Sequence, residues 1–165
     1  MLATLPVVVA LAAIVAACAS APVATRPIQP GTSGSPREVN IIAKDYSFLP
    51  GALDLVPGET VLLHVINGGL VVHEAIIGDQ AVQDAWEVAE AAAASPPPGP
   101  TPVVSVPPGV SGIRIVVASG QRVDLAWTVP PDVASPGAPA WIVGCHIPGH
   151  WERGMQIPVR WTAPA

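Results

Sequence analysis

Twenty-one prolines in 165 residues leave little room for long helices, because proline removes a backbone donor and clashes with the preceding helical turn. Pro50-Gly51, Pro57-Gly58 and Pro148-Gly149 read as turns. Short apolar or alternating runs lie between the turn signals: Val39–Ala43, Leu53 and Leu55, Val61–Asn67, Ile113–Val117, Arg122–Val129, Ala140–Gly144 and Gln156–Trp161. Val103–Val106 is expected as a further strand, and Asp45–Gly51 as a turn. Closely spaced strands of this kind predict an all-β sandwich. Half the residues are apolar but only one is Phe and one Tyr, so Val, Ile, Leu, Ala and Trp must build the core.

One segment breaks the strand pattern. Residues 79–102 begin with Asp79, suited to an N-cap, and run through Ala-rich sequence of high helix propensity to Ser95-Pro96-Pro97-Pro98. This predicts one inserted surface helix with Val82, Trp86, Ala89 and Ala93 on a common face, followed by a Pro-rich loop.

The N-terminal 17 residues are apolar and uncharged, the length of a signal h-region. Val15-Ala16-Ala17-Cys18 resembles a bacterial lipobox, which implies a signal segment over 1–18 with lipid on Cys18. Residues 19–37, rich in Pro, Gly, Ser and Thr, then read as a flexible linker. The expected location is the periplasmic or cell-surface side of a bacterial membrane, with the lipid as anchor. A net charge of −5 with seven Lys and Arg provides no basic patch for nucleic acid.

If Cys18 is lipidated or removed, Cys145 is the one remaining thiol of an exported chain, and metal coordination would protect it. The stretch from Cys145 to Met155 supplies a thiolate, an imidazole and a thioether at Cys145, His150 and Met155, with four residues in each gap. Those donors lie at the soft end of the ligand scale; one Cys, two His and a long axial Met define a blue-copper site. Pro148-Gly149 would fold His150 back towards Cys145. The second His must come from elsewhere, and His64, His73 and His146 are available.

The Cys-x4-His-x4-Met spacing, with Pro-Gly just before the His, resembles the blue copper proteins, or cupredoxins, of the auracyanin and rusticyanin type. The resemblance spans about residues 38–162 and implies a Greek-key β-sandwich binding one copper. In that family the upstream His follows a strand ending in Asn; Asn67 and His73 match, which makes His73 the fourth ligand. Asn67 is then expected to pin the copper loops together. His64 lies mid-strand as a packed histidine, and His146 should face away from a metal held by Cys145.

The resemblance implies an exported one-electron carrier rather than an enzyme. His150 would be the solvent-edge ligand and electron portal, flanked by a docking patch of Ile147, Pro148 and Trp151 for a transient redox partner such as a cytochrome or oxidase. The carrier is expected to be a monomer. Copper tolerance or storage is the alternative, since the same four ligands can sequester copper without passing electrons. The run His73–Gly78, a helix and the late Cys-His loop together resemble copper-tolerance cupredoxins with their insertions. Those insertions carry extra Met and His, and this one has neither. A multicopper oxidase needs His-x-His pairs, a dinuclear centre needs a second loop Cys, and zinc is disfavoured by Met at axial spacing.

Overall fold

The computed structural model describes residues 27–93 and 104–165. Among the described residues, nine strands form two sheets: β1 (Arg37–Lys44), β2 (Ser47–Leu49), β3 (Leu53–Leu55), β4 (Thr60–Asn67), β5 (His73–Asp79), β6 (Ile113–Val117), β7 (Arg122–Thr128), β8 (Trp141–Gly144) and β9 (Gln156–Trp161). The four-stranded sheet runs β2-β1-β4-β7 and the five-stranded sheet β3-β9-β8-β5-β6. The expected all-β sandwich with one helix is what the chain adopts.

Alternation explains the layering. Val39, Ile41 and Ala43 of β1, with Val61, Leu63 and Val65 of β4, point inward and are buried, as a period of two requires. They meet Ala75 and Ile77 of β5, Val143 of β8, and Ile157 and Val159 of β9 in one apolar core that includes Cys145 and Met155. Truncating one of its Leu or Ile residues to Ala should cost about 2–5 kcal/mol.

Strand direction gathers the site at one end of the sandwich. β5 and β8 are antiparallel, as are β8 and β9, so the start of β5, the end of β8 and the start of β9 share an edge. These positions carry His73, Cys145 and Met155. In the facing sheet β1 and β4 are parallel, and their C-terminal ends lead into Asp45 and Asn67.

The inserted helix, α1 (Gln80–Ala93), lies against β5 and β8, and Oδ1 of Asp79 accepts from the Val82 amide at 3.1 Å. Its buried face is Val82, Gln83, Trp86 and Glu90, so two polar residues stand where the sequence pattern pointed to Ala89 and Ala93. Gln83 is there because its amide nitrogen reaches three carbonyls, those of Ile76, Gly78 and Ile142, at 3.0–3.3 Å. Glu90 accepts from Arg114 at 2.6 Å.

Three local expectations change. Val104 and Val106 form no strand; they pack against Ile76, Val82 and Trp86 beneath the helix, where β-branched side chains serve equally well. The Asp45–Gly51 stretch contains β2, which pairs with β1. The sequence from Ile28 to Ser35, assigned to the linker by composition, is tied to the domain. The Ala165 amide donates to Ile28 at 2.9 Å and the Thr60 amide to Gly31 at 3.0 Å. The signal segment, Cys18 and the Pro-rich end of the insertion lie outside the described residues. Among the described residues, no helix is long and apolar enough to cross a membrane.

Candidate metal centre

His73 opens β5, and the loop after β8 returns through Pro148-Gly149 to bring His150 beside Cys145. Gly149 has φ +84°, a left-handed conformation glycine adopts without steric cost. The His150 amide donates to Ile147 at 2.9 Å, closing the turn. Met155 is tied to both ends of the loop: its amide donates to His150 at 3.2 Å, and its carbonyl accepts from Cys145 at 3.1 Å.

The result is a buried donor cluster. Sγ of Cys145 lies 3.3 Å from Nδ1 of His150, and the two Nδ1 atoms of His73 and His150 are 3.3 Å apart. One ligand atom from each of the three residues falls within 4.8 Å of the others. Donors held about 2.0–2.3 Å from one ion at tetrahedral or trigonal angles stand about 3.3–3.8 Å apart, and the two 3.3 Å separations about His150 match that spacing. Met155 is fully buried in the same core.

The electrostatics favour donors over charges in the metal-free chain. Burial pushes the Cys145 thiol up to about 12, against a smaller lowering by the backbone amides of Glu74 and Ile147. A metal bound there must displace the thiol proton. Burial, with the His73 ring beside it, lowers His150 below the ordinary range of histidine, which keeps its lone pair free.

His64 and His146 stand apart from the cluster. His64 is 2.7 Å from Asp124 on the four-stranded sheet. His146 points towards α1, with Nδ1 2.6 Å from Glu87 and Nε2 2.8 Å from Gln83, and stacks on Trp151. Its amide donates to the buried carboxylate of Glu74 at 3.0 Å. Glu74 in turn accepts from Arg114 at 2.8 Å.

Asn67 does part of what was expected. Its Nδ2 donates to Val71 at 2.7 Å and Val117 at 2.9 Å, and its Oδ1 accepts from Gly69 at 2.8 Å. It therefore pins the loop delivering His73 to β6; among the described residues it makes no bond to the Cys145–Met155 loop.

No family model and no curated protein matches the chain by sequence. Solved structures do match by shape. Dithionite-reduced auracyanin from Roseiflexus castenholzii superposes with a TM-score of 0.57 at 17% identity, covering 81% of this chain and all of that one. Auracyanin A, a "blue" copper protein from Chloroflexus aurantiacus, gives 0.57 at 22% identity, covering 78% of this chain and all of its own. An azurin from Methylomonas sp. strain J gives 0.51 at 13%, covering 77% and 98%. The chain has the cupredoxin fold.

Within this cupredoxin fold, His150 retains 7% exposure and His73 none, so His150 is the ligand candidate nearer the surface. Pro148 is exposed and Ile147 half-buried beside it. Trp151, also half-buried, is packed against His146. Sequence reasoning missed the exposed apolar run Leu70-Val71-Val72, 86%, 39% and 45% accessible, on the loop leading to His73. Its signal was an apolar run directly after Gly68-Gly69. Sequence reasoning also missed Tyr46, whose ring meets His150 edge-on at 5.1 Å and carries Arg153 on its face at 4.1 Å.

Proposed function

We propose that the chain binds one copper ion through His73, Cys145 and His150, with Met155 as weak axial ligand, and serves as an exported one-electron carrier. The observation carrying this reading is the buried convergence of two imidazole nitrogens and a thiol sulfur at one edge of a cupredoxin sandwich. Bound there, copper supplies a one-electron couple, since this mixed ligand set suits both of its oxidation states.

The chain's own part is to hold the donors still and dry. His73 is anchored at the head of β5, Cys145 at the end of β8, and Met155 by two backbone bonds at the head of β9. Rigid donors limit rearrangement when the charge at the centre changes. His150, nearest the surface with Ile147 and Pro148 beside it, gives a route for electrons. The exposed Leu70-Val71-Val72 run adds apolar surface suited to the small, transient contacts of redox partners. Retention at the membrane through a lipid on Cys18, and transfer to a cytochrome or oxidase, complete the proposal.

The test is the visible spectrum of the copper-loaded, oxidised protein, followed by electron exchange with a cytochrome. An intense sulfur-to-copper band, lost in Cys145→Ser, together with rapid exchange is the expected outcome. The band without exchange would favour copper storage or tolerance, and no band would remove the copper-thiolate reading. Mass spectrometry of the mature chain tests the anchor: an unmodified N-terminus beyond Cys18 would sink it.

A further inference from the structure

Asp45 belongs to the turn between β1 and β2, in the four-stranded sheet, yet its carboxylate reaches a ligand candidate of the other sheet. Oδ1 lies 3.1 Å from Nε2 of His73. The same carboxylate accepts from the Leu70 amide at 2.9 and 3.1 Å. The other ring nitrogen of His73, Nδ1, is the one 3.3 Å from Nδ1 of His150. Gly69 makes room for the pairing: a Cβ there would collide with Oδ1 of Asp45 and stand 2.9 Å from Nε2 of His73.

The chemistry of these contacts is one-sided. An ionised carboxylate only accepts, so the nitrogen facing it must carry the proton. The lone pair of His73 is thereby left on Nδ1, the atom facing the donor cluster. The ring is fully buried, which leaves Asp45 rather than solvent to decide the tautomer. A carboxylate behind a metal-bound imidazole also makes that ring a more basic ligand.

We propose that Asp45 is a positioning residue for the metal centre, locking His73 as its Nε2–H tautomer and lending negative charge that favours the higher oxidation state of the ion. The tautomer half concerns the metal-free chain alone; the charge half rests on the copper reading above.

Two measurements separate those halves. The first is nitrogen-15 NMR of the imidazoles in the metal-free full chain, comparing wild type with Asp45→Asn, Asp45→Ala and Gly69→Ala. The wild type should show His73 protonated on Nε2. Asp45→Asn keeps a carbonyl acceptor and should retain that tautomer, whereas Asp45→Ala should give a mixture. Gly69→Ala, which pushes the carboxylate aside without removing it, should move in the same direction as Asp45→Ala. A wild-type ring protonated on Nδ1, or an Asp45→Ala ring unchanged from wild type, overturns the tautomer claim. The second measurement is copper(I) and copper(II) affinity together with the reduction potential. Copper(II) affinity should fall roughly 10- to 100-fold in Asp45→Ala. Each tenfold loss of copper(II) over copper(I) binding raises the potential by about 59 mV. Equal potentials in wild type, Asp45→Asn and Asp45→Ala overturn the charge claim. Should the wild type bind no copper while Asp45→Ala still frees the tautomer, the positioning role is upheld and the copper reading fails.

Discussion

The imidazole of His146 lies nearly flat on the indole of Trp151, with centroids 4.5 Å apart and planes 18° from parallel. Cys145 points into the core while its neighbour faces out into this stack, so the Cys loop is gripped from behind by α1. His146→Ala should leave the copper colour largely intact, because no donor of the cluster is removed. It leaves the buried Oε1 of Gln83 without its partner, and an unsatisfied buried group costs roughly 1–3 kcal/mol, whereas the exposed Glu87 carboxylate turns to water. Denaturant unfolding beside a visible spectrum separates the two effects. Loss of colour in this variant with full stability would place His146 in the ligand set.

Gly144 is where that grip leaves no space. A Cβ there would stand 2.5 Å from Cζ3 of Trp151 and 2.6 Å from Oε1 of Gln83. Gly144→Ala should therefore lower stability by roughly 1–3 kcal/mol through overpacking. Gly34→Ala, whose Cβ meets nothing within 4 Å, is the control and should melt close to wild type. A Gly144→Ala melting point equal to that control would show that the loop yields freely.

Met155 tests whether the thioether acts on the metal or only on the core. Met155→Leu keeps the volume, so folding should change by about 1 kcal/mol or less. The variant should still bind copper and stay coloured, while losing a donor that helps the electron-poor ion, so its reduction potential should rise. Met155→Gln supplies a harder oxygen donor and should shift the potential the other way. Voltammetry giving one value for all three proteins would leave Met155 as a packing residue at the head of β9.

At the opposite end of the sandwich, Glu59 is buried and accepts from Arg37 at 2.6 and 2.8 Å. Burial pushes its carboxyl up, but the Arg37 guanidinium and the Val56 and Gly31 amides outweigh it and hold it below its ordinary value of 4.5. A depressed carboxylate contributes stability that is present above the unfolded value and lost as pH falls through the folded one. Stability should therefore decline below about pH 4.5. Arg37→Ala, leaving a buried charge unpaired, should cost on the order of 3 kcal/mol near neutral pH. Melting curves across pH would show the wild type and variant converging in acid; parallel curves would refute the pairing as the cause.

What the sequence determined by itself was local. The spacing of Cys145, His150 and Met155, folded by Pro148-Gly149, is written within eleven residues, and period-two alternation made most of the strands legible. Asp79 before the Ala-rich run marked the helix start for the same reason, since an N-cap acts on amides a few residues away. Tertiary structure decided whatever depended on distant partners. Ile28–Ser35 looks like linker because its composition carries no pattern, and what attaches it is bonds to distant residues, Glu59, Thr60 and Ala165. Val104 and Val106 have strand propensity, but the helix surface they cover takes β-branched side chains without a ladder. Asp45 is an ordinary turn residue until the two sheets close, 28 residues from His73 in sequence and 3.1 Å from it in space. Gln83 and Glu90 break the apolar pattern of their helix because their partners are carbonyls and an arginine elsewhere in the chain. Short-range preferences reside in the residues themselves, whereas a hydrogen bond across the sandwich exists only once burial of the core has brought its two ends together.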